Sequence, residues 1–248
     1  MNVWSSIGEL IRRMPSHAES ILLFMTEMFR SFFAGDPENR RKVAFSVAMI
    51  ALSAKMAKAD GVVTQSEVTA FQQIFEIPAS ESRNVFRLYE LAQQDVAGFE
   101  AYAKQMAELC GDGGRNDGET TCLTEDVLDG LFHIAKADGV LHERELDFLR
   151  IVGSIFGFSD TVFDTIAARH VSLGEADPYA ILGLSADASD REVQQRYREL
   201  ARQWHPDYMI ARGVPEEFME IANQRMAALN AAMAAIQEVR AVPENHRA

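Results

Sequence analysis

An all-α fold is what this sequence predicts, and three observations carry the prediction. Apolar residues recur at helical spacing from about Arg40 to His170, with no alternating strand pattern. The interruptions are turn chemistry: Asp60-Gly61, Ile77-Pro78, the Gly/Asp-rich run 111–118, Asp138-Gly139 and Gly157. Beyond residue 177, two further amphipathic helices flank a His-Pro-Asp tripeptide. With 248 residues, 48% of them hydrophobic, the chain can hold two compact domains with real cores. The expected division is an N-terminal segment (1–39), a helical domain (40–170), a linker (171–176), a second domain (177–240) and a tail (241–248).

The N-terminal segment contains an amphipathic stretch over residues 18–33. Ile21, Leu22, Phe24, Met25, Met28, Phe29 and Phe32 make a broad apolar face, with Glu19, Thr26, Glu27 and Arg30 opposite. A helix lying in a membrane interface carries Lys and Arg on its polar face, and this one is nearly neutral. It is expected to dock on the helical domain or to dimerise with a second copy, with peripheral membrane contact as the alternative.

Next comes a run of twelve uncharged residues, Val43 to Ala54, between Lys42 and Lys55. A spanning helix needs about 20, so a buried core helix is expected and no transmembrane segment. No basic start, apolar run and cleavage site follow one another at the N-terminus, so no signal peptide is expected either. Cys110 and Cys122 match no metal or C-x-x-C spacing, which suits a reducing cytoplasm. The formal charge of −13 argues against nucleic acid as a partner, because phosphate binding needs a basic field.

The helical domain repeats itself. Lys58-Ala59-Asp60-Gly61-Val62-Val63 returns as Lys136-Ala137-Asp138-Gly139-Val140-Leu141, 78 residues later, with Glu67 falling on Glu145 and Val68 on Leu146. Each copy reads as helix, Asp-Gly turn, helix, and six or seven helices with pseudo-twofold symmetry are expected. This region resembles the TerB-like domain, an all-helical fold. Asp60, Glu67, Asp138 and Glu145 are candidate carboxylate ligands for a divalent cation, and the resemblance adds weight, since such domains have been linked to metal binding through acidic residues after these turns. Local chemistry explains the same residues, however. Thr64-Gln65-Ser66-Glu67 is a capping box, and Asp-Gly is ordinary turn chemistry. In the second copy His142 replaces the capping Thr, which reads as loss of the box and leaves Glu145 harder to dismiss. Capping and turns are the favoured reading, and no cofactor is expected.

In the second domain, Ser189-Asp190-Arg191-Glu192 is a capping box, so a helix should begin near Asp190. It should stop near Trp204, because His205, the residue before Pro206, is driven out of the helical region. Val193, Tyr197, Leu200 and Trp204 then share one face, with Arg191, Gln195, Arg198 and Arg202 opposite. A loop is expected from Tyr208 to Val214, then a helix with Pro215 in its first turn and Phe218, Ile221, Ala222, Leu229, Ala232, Met233 and Ile236 at helical spacing. These should pack antiparallel on the first helix. Arg225 falls in that stripe and is expected to snorkel.

Upstream stands Asp177-Pro178-Tyr179-Ala180-Ile181-Leu182-Gly183-Leu184, and downstream Leu229-Asn230-Ala231-Ala232. With His205-Pro206-Asp207 between them, this order resembles the J-domain of DnaJ-type co-chaperones over residues 177 to about 238. The resemblance implies that Arg191, Arg198 and Arg202 dock a DnaK-type chaperone while His205, Pro206 and Asp207 meet its nucleotide domain. A TerB-like domain followed by a J-domain is the arrangement of the DjlA-like family, which implies a cytoplasmic co-chaperone that stimulates its partner's ATP hydrolysis. The chain departs from the membrane-anchored form, which carries a spanning helix. It also lacks a Gly/Phe-rich linker and a zinc repeat. No G-x-x-x-x-G-K-[ST] loop and no nucleophile–base pair occur, so an enzyme is not expected. The rival reading is a metal-binding stress-response scaffold with the J-domain as a tether.

Overall fold

The computed structural model describes residues 3–12, 37–60, 77–78, 80–94, 98–111, 119–137, 139, 141–170, 177–211, 214, 216 and 219–241. Among them the regular structure is entirely helical. The stretch 18–33, the linker 171–176 and all of the tail but Ala241 lie outside these residues.

The first domain is built around α2 (Pro37–Asp60). Its middle is buried on every side, from Phe45 and Val47 through Ile50 and Leu52 to Met56, as a helix apolar all round must be. The polar residues in that run are satisfied locally. Ser46 Oγ donates to Lys42 O (3.0 Å), Ser53 Oγ donates to Met49 O (2.6 Å), and the Lys55 ammonium lies 5.0 Å from the Tyr102 ring centroid. The expected core helix is therefore present, and among the described residues no helix is long and apolar enough to cross a membrane.

Around it pack α1 (Val3–Arg12), α3 (Ser82–Gln94), α4 (Phe99–Gly111), α5 (Glu119–Ala135) and α6 (Glu143–Ile155), with α7 (Asp160–Ala168) closing over α5 and α6. α1 was not distinguished in the sequence, yet Ile7 and Ile11 are buried in the same core as α2. The first residues thus belong to the helical domain and not to a separate segment.

The repeat is visible in the structure. α3 begins at Ser82 and α7 at Asp160, the same 78-residue offset that separates Lys58 from Lys136. Both lysines do the same job: Lys58 Nζ donates to Gln93 O (2.7 Å) near the end of α3, and Lys136 Nζ donates to His170 O just past α7. Each cation thus meets a carbonyl at the negative end of a helix dipole. In the second copy Gly139 takes φ +92°, a left-handed turn that a side chain would strain.

The second domain opens with the short α8 (Pro178–Leu182), where Asp177 caps the Tyr179 amide at 3.0 Å and Pro178 occupies the first helical position. α9 spans Asp190–Gln203 and starts at the expected capping box: the Ser189 amide donates to Glu192 Oε2 (2.7 Å), and Ser189 Oγ accepts from the Glu192 amide (3.3 Å). A six-residue helix, α10 (Pro206–Ala211), follows where a loop was expected from Tyr208. Burial of Met209 against the first domain rewards one helical turn there. The last helix is described as α11 (Met219–Ala241), and Pro215 and Phe218, expected at its start, lie outside the described residues.

α9 and α11 run antiparallel. Tyr197 OH donates to Asn230 Oδ1 (2.9 Å), and the Arg240 guanidinium near the end of α11 bonds Asp190 at the start of α9. Val193, Leu200, Trp204, Leu229, Ala232 and Ile236 form their shared core with Ile181 and Leu182 of α8. Ile221 and Ala222 do not join it as expected. They enter the first domain's core with Met209 and Val214. The α11 helix therefore straddles both cores, and Gly130 of α5 permits this approach: a Cβ there would lie 2.9 Å from Ile221 Cδ1 and against Met49 Cε.

Candidate functional site

The helical period that placed Val193, Tyr197, Leu200 and Trp204 on one face leaves Arg191, Arg198 and Arg202 exposed on the other. Arg198 donates to Gln194 Oε1 (3.2 Å), a neighbour on its own helix, so its guanidinium stays at the surface. Arg196, one step round, is occupied differently: its Nε donates to Leu182 O (3.1 Å) and caps α8. Three arginine forks thus face outward along about three turns, a surface suited to carboxylates.

The basic face ends at the tripeptide. Trp204 is the C-cap of α9, His205 is non-helical, and Pro206 opens α10 with its fixed φ. His205 and Asp207 are exposed, with side chains 56% and 89% accessible. The Asp207 amide donates to His205 Nδ1 (3.2 Å), which leaves the ring proton on Nε2, while the carboxylate Oδ2 stands 3.8 Å from Nδ1. The corner therefore presents an N–H donor and a carboxylate side by side, beyond the last arginine. The tripeptide begins a helix; it does not lie in an open loop.

Two family models match in this same order. Residues 46–168 match the model described as tellurite resistance protein TerB, and residues 177–229 match the DnaJ domain. The chain is a TerB domain followed by a J-domain. Among curated proteins it is 29% identical over 231 residues to the co-chaperone protein DjlA of Photobacterium profundum, covering 81% of each chain. It is 27% identical over 216 residues to the DjlA of Shewanella oneidensis, covering 80% of this chain and 78% of that one. The DjlA of Coxiella burnetii is 26% identical over 207 residues, 75% of this chain and 74% of the relative. No solved structure matches the chain.

The J-domain meets the TerB domain through a buried charge cluster that the sequence reading missed. Arg225, expected to snorkel, is instead 3% exposed and pairs with Asp126 and Asp129 of α5, while its Nη2 donates to Glu125 O (3.1 Å). Asp129 also accepts from Arg169 Nη1 (3.1 Å) and pairs with His170 Nε2 (2.6 Å), and Arg169 reaches Glu125 Oε1 at 2.7 Å. Burial alone would raise the Asp129 carboxyl. Arg225 and then Arg169 outweigh it and hold the group ionised, well below the ordinary carboxylate range. Burial would likewise lower Arg225, and Asp129, then Asp126 and Glu125, outweigh it and hold the guanidinium above its ordinary range. Trp204 lies against the same cluster: the Arg169 guanidinium is 4.2 Å and that of Arg225 6.0 Å from its ring centroid. The legible signal was a charge inside each apolar stripe, Arg225 on one helix and Asp126 and Asp129 on the other.

Of the candidate metal ligands, the structure describes one side chain. Glu145 is 2% exposed, and its Oε2 accepts from the His142 amide (2.9 Å). Replacing Thr by His therefore did not abolish this half of the capping box, and Glu145 has a structural task. Glu67, Asp138 and the Asp60 side chain lie outside the described residues. Among the described residues no three His, Cys, Asp or Glu side chains form a group that could hold a metal ion.

Proposed function

We propose that the chain is a co-chaperone without an active site of its own, which binds a DnaK-type chaperone and accelerates hydrolysis of that partner's ATP. One observation carries this reading: an exposed His205-Pro206-Asp207 corner set at the end of a helix whose outer face is Arg191, Arg198 and Arg202. The DjlA proteins that match most of the chain are named co-chaperones, which supports it.

The arginines attract a carboxylate-bearing surface from a distance and orient the helix on it. The corner then offers the His205 Nε2–H and the Asp207 carboxylate to the partner near its interdomain linker. Acceleration follows if these contacts are stronger in the partner's hydrolysis-competent conformation than in its resting one, because only differential binding shifts a population. The TerB domain would choose where in the cytoplasm, and on which client, this happens. Single-turnover hydrolysis by DnaK with and without the chain tests the reading, and an unchanged rate would overturn it.

A further inference from the structure

His205-Pro206-Asp207 belongs to the J-domain, but the residues holding it in place do not all lie there. Trp204, covalently attached to His205, is 1% exposed, and its Nε1 finds no acceptor among the described residues. Packing and the two guanidinium groups hold the indole, and the nearer of these, Arg169, comes from the TerB domain. Arg169 is itself fixed by Glu125 and Asp129 of α5. On the other side of the tripeptide, Met209 is fully buried in the TerB domain's core. The corner is thus clamped by first-domain contacts immediately before it and two residues after it. Asp129 is the hub, since it holds Arg169, His170 and Arg225 together.

We propose that Asp129 is a positioning residue for the His205-Pro206-Asp207 corner, acting through Arg169 on Trp204, so that the TerB domain forms part of the J-domain's activating end as well as any targeting module. The inference rests on the proposed function and deepens it. It separates two jobs: the exposed arginines of α9 set how tightly the partner is held, and the clamp sets how well the corner works once the partner is held. Loosening the clamp therefore lowers the maximal stimulation and leaves the half-saturating concentration alone, a split that general loss of fold would not produce.

The test uses the full chain in single-turnover ATP hydrolysis by DnaK, titrated to saturation. Asp129→Asn keeps the shape of the side chain and removes the charge. Arg169→Met removes the guanidinium over Trp204 and leaves Asp129 paired with Arg225, a milder change should the first variant not fold. Val85→Ala, in the core of α3 away from the cluster, is the control for lowered stability. We expect the maximal stimulation of both cluster variants to fall about tenfold, as misplacement of a working group does. Their half-saturating concentrations should stay within about twofold, and Val85→Ala should match the parent in both respects. Cluster variants that reach the parent's maximum overturn the inference. So does a loss shared by Val85→Ala, or a raised half-saturating concentration with an unchanged maximum. A parent that does not stimulate at all removes the proposed function, and this inference with it. A stimulating parent with equally active cluster variants removes this inference alone.

Discussion

Asp129 of α5 and Arg225 of α11 form an ion pair, with side chains 0% and 3% exposed, that neutralises a charge of each domain with a charge of the other. A buried pair of this kind adds little over a well-packed apolar pair, but removing one partner strands the other. Arg225→Met should therefore destabilise the protein by about 3 kcal/mol, nearer the low end because Asp129 keeps Arg169 and His170. Urea unfolding measures it. A loss under 1 kcal/mol would mean that Asp126 and Asp129 are well compensated without it.

The outward arginines should govern affinity. Arg198→Glu with Arg202→Glu should weaken DnaK binding by at least about tenfold, since reversed charge meets like charge across the interface. Added salt should weaken the parent's binding as well, because exposed attraction is screened. Calorimetry at low and high salt decides, and salt-independent binding would point to an apolar contact instead.

Acid should loosen the two domains in two steps. Burial lowers the His133 imidazole below its ordinary 6.5, and the charge of nearby His170 lowers it further, against a Gln224 hydrogen bond and the Glu220 carboxylate, with Lys136 also opposing protonation. A lowered folded value means the unfolded chain takes up the proton first. The contribution of His133 is therefore complete above pH 6.5 and drains as pH falls below it. The depressed Asp129 carboxyl behaves alike at lower pH, its contribution draining below 3.8. Unfolding free energies should fall between pH 7.5 and 5.5, and His133→Gln should flatten that slope. An unaltered slope would assign the acid sensitivity to other groups.

A divalent ion should leave the melting temperature of the parent unchanged, because Glu145 already serves its helix end. A site would instead stabilise the native state by about 2.7 kcal/mol at a hundredfold excess over Kd. A rise lost in Asp138→Asn, which keeps turn propensity and removes the charge a hard cation needs, would establish one.

Much of the second domain was legible in the sequence because local rules agree there. The Ser189 capping box, the 3.6-residue period through Val193, Tyr197 and Leu200, and Pro206 after the helix all name the same fourteen-residue α9. The repeat was legible because a 78-residue offset survives in the residues themselves. What escaped is tertiary. The pairing of Arg225 with Asp126 joins residues 99 apart, and no local pattern encodes it. The six-residue α10 is too short for propensity to announce it and depends on burying Met209. The destination of Ile221 and Ala222 was hidden because helical spacing gives a face without naming what covers it.

The most direct measurement is the single-turnover rate of ATP hydrolysis by DnaK in the presence of saturating parent, His205→Gln or Asp207→Asn. Both side chains are exposed, so the variants should keep the parent's helical signal and melting temperature. We expect the parent to accelerate hydrolysis and both variants to leave the rate at that of DnaK alone. Variants that stimulate as the parent does would contradict the account at its centre.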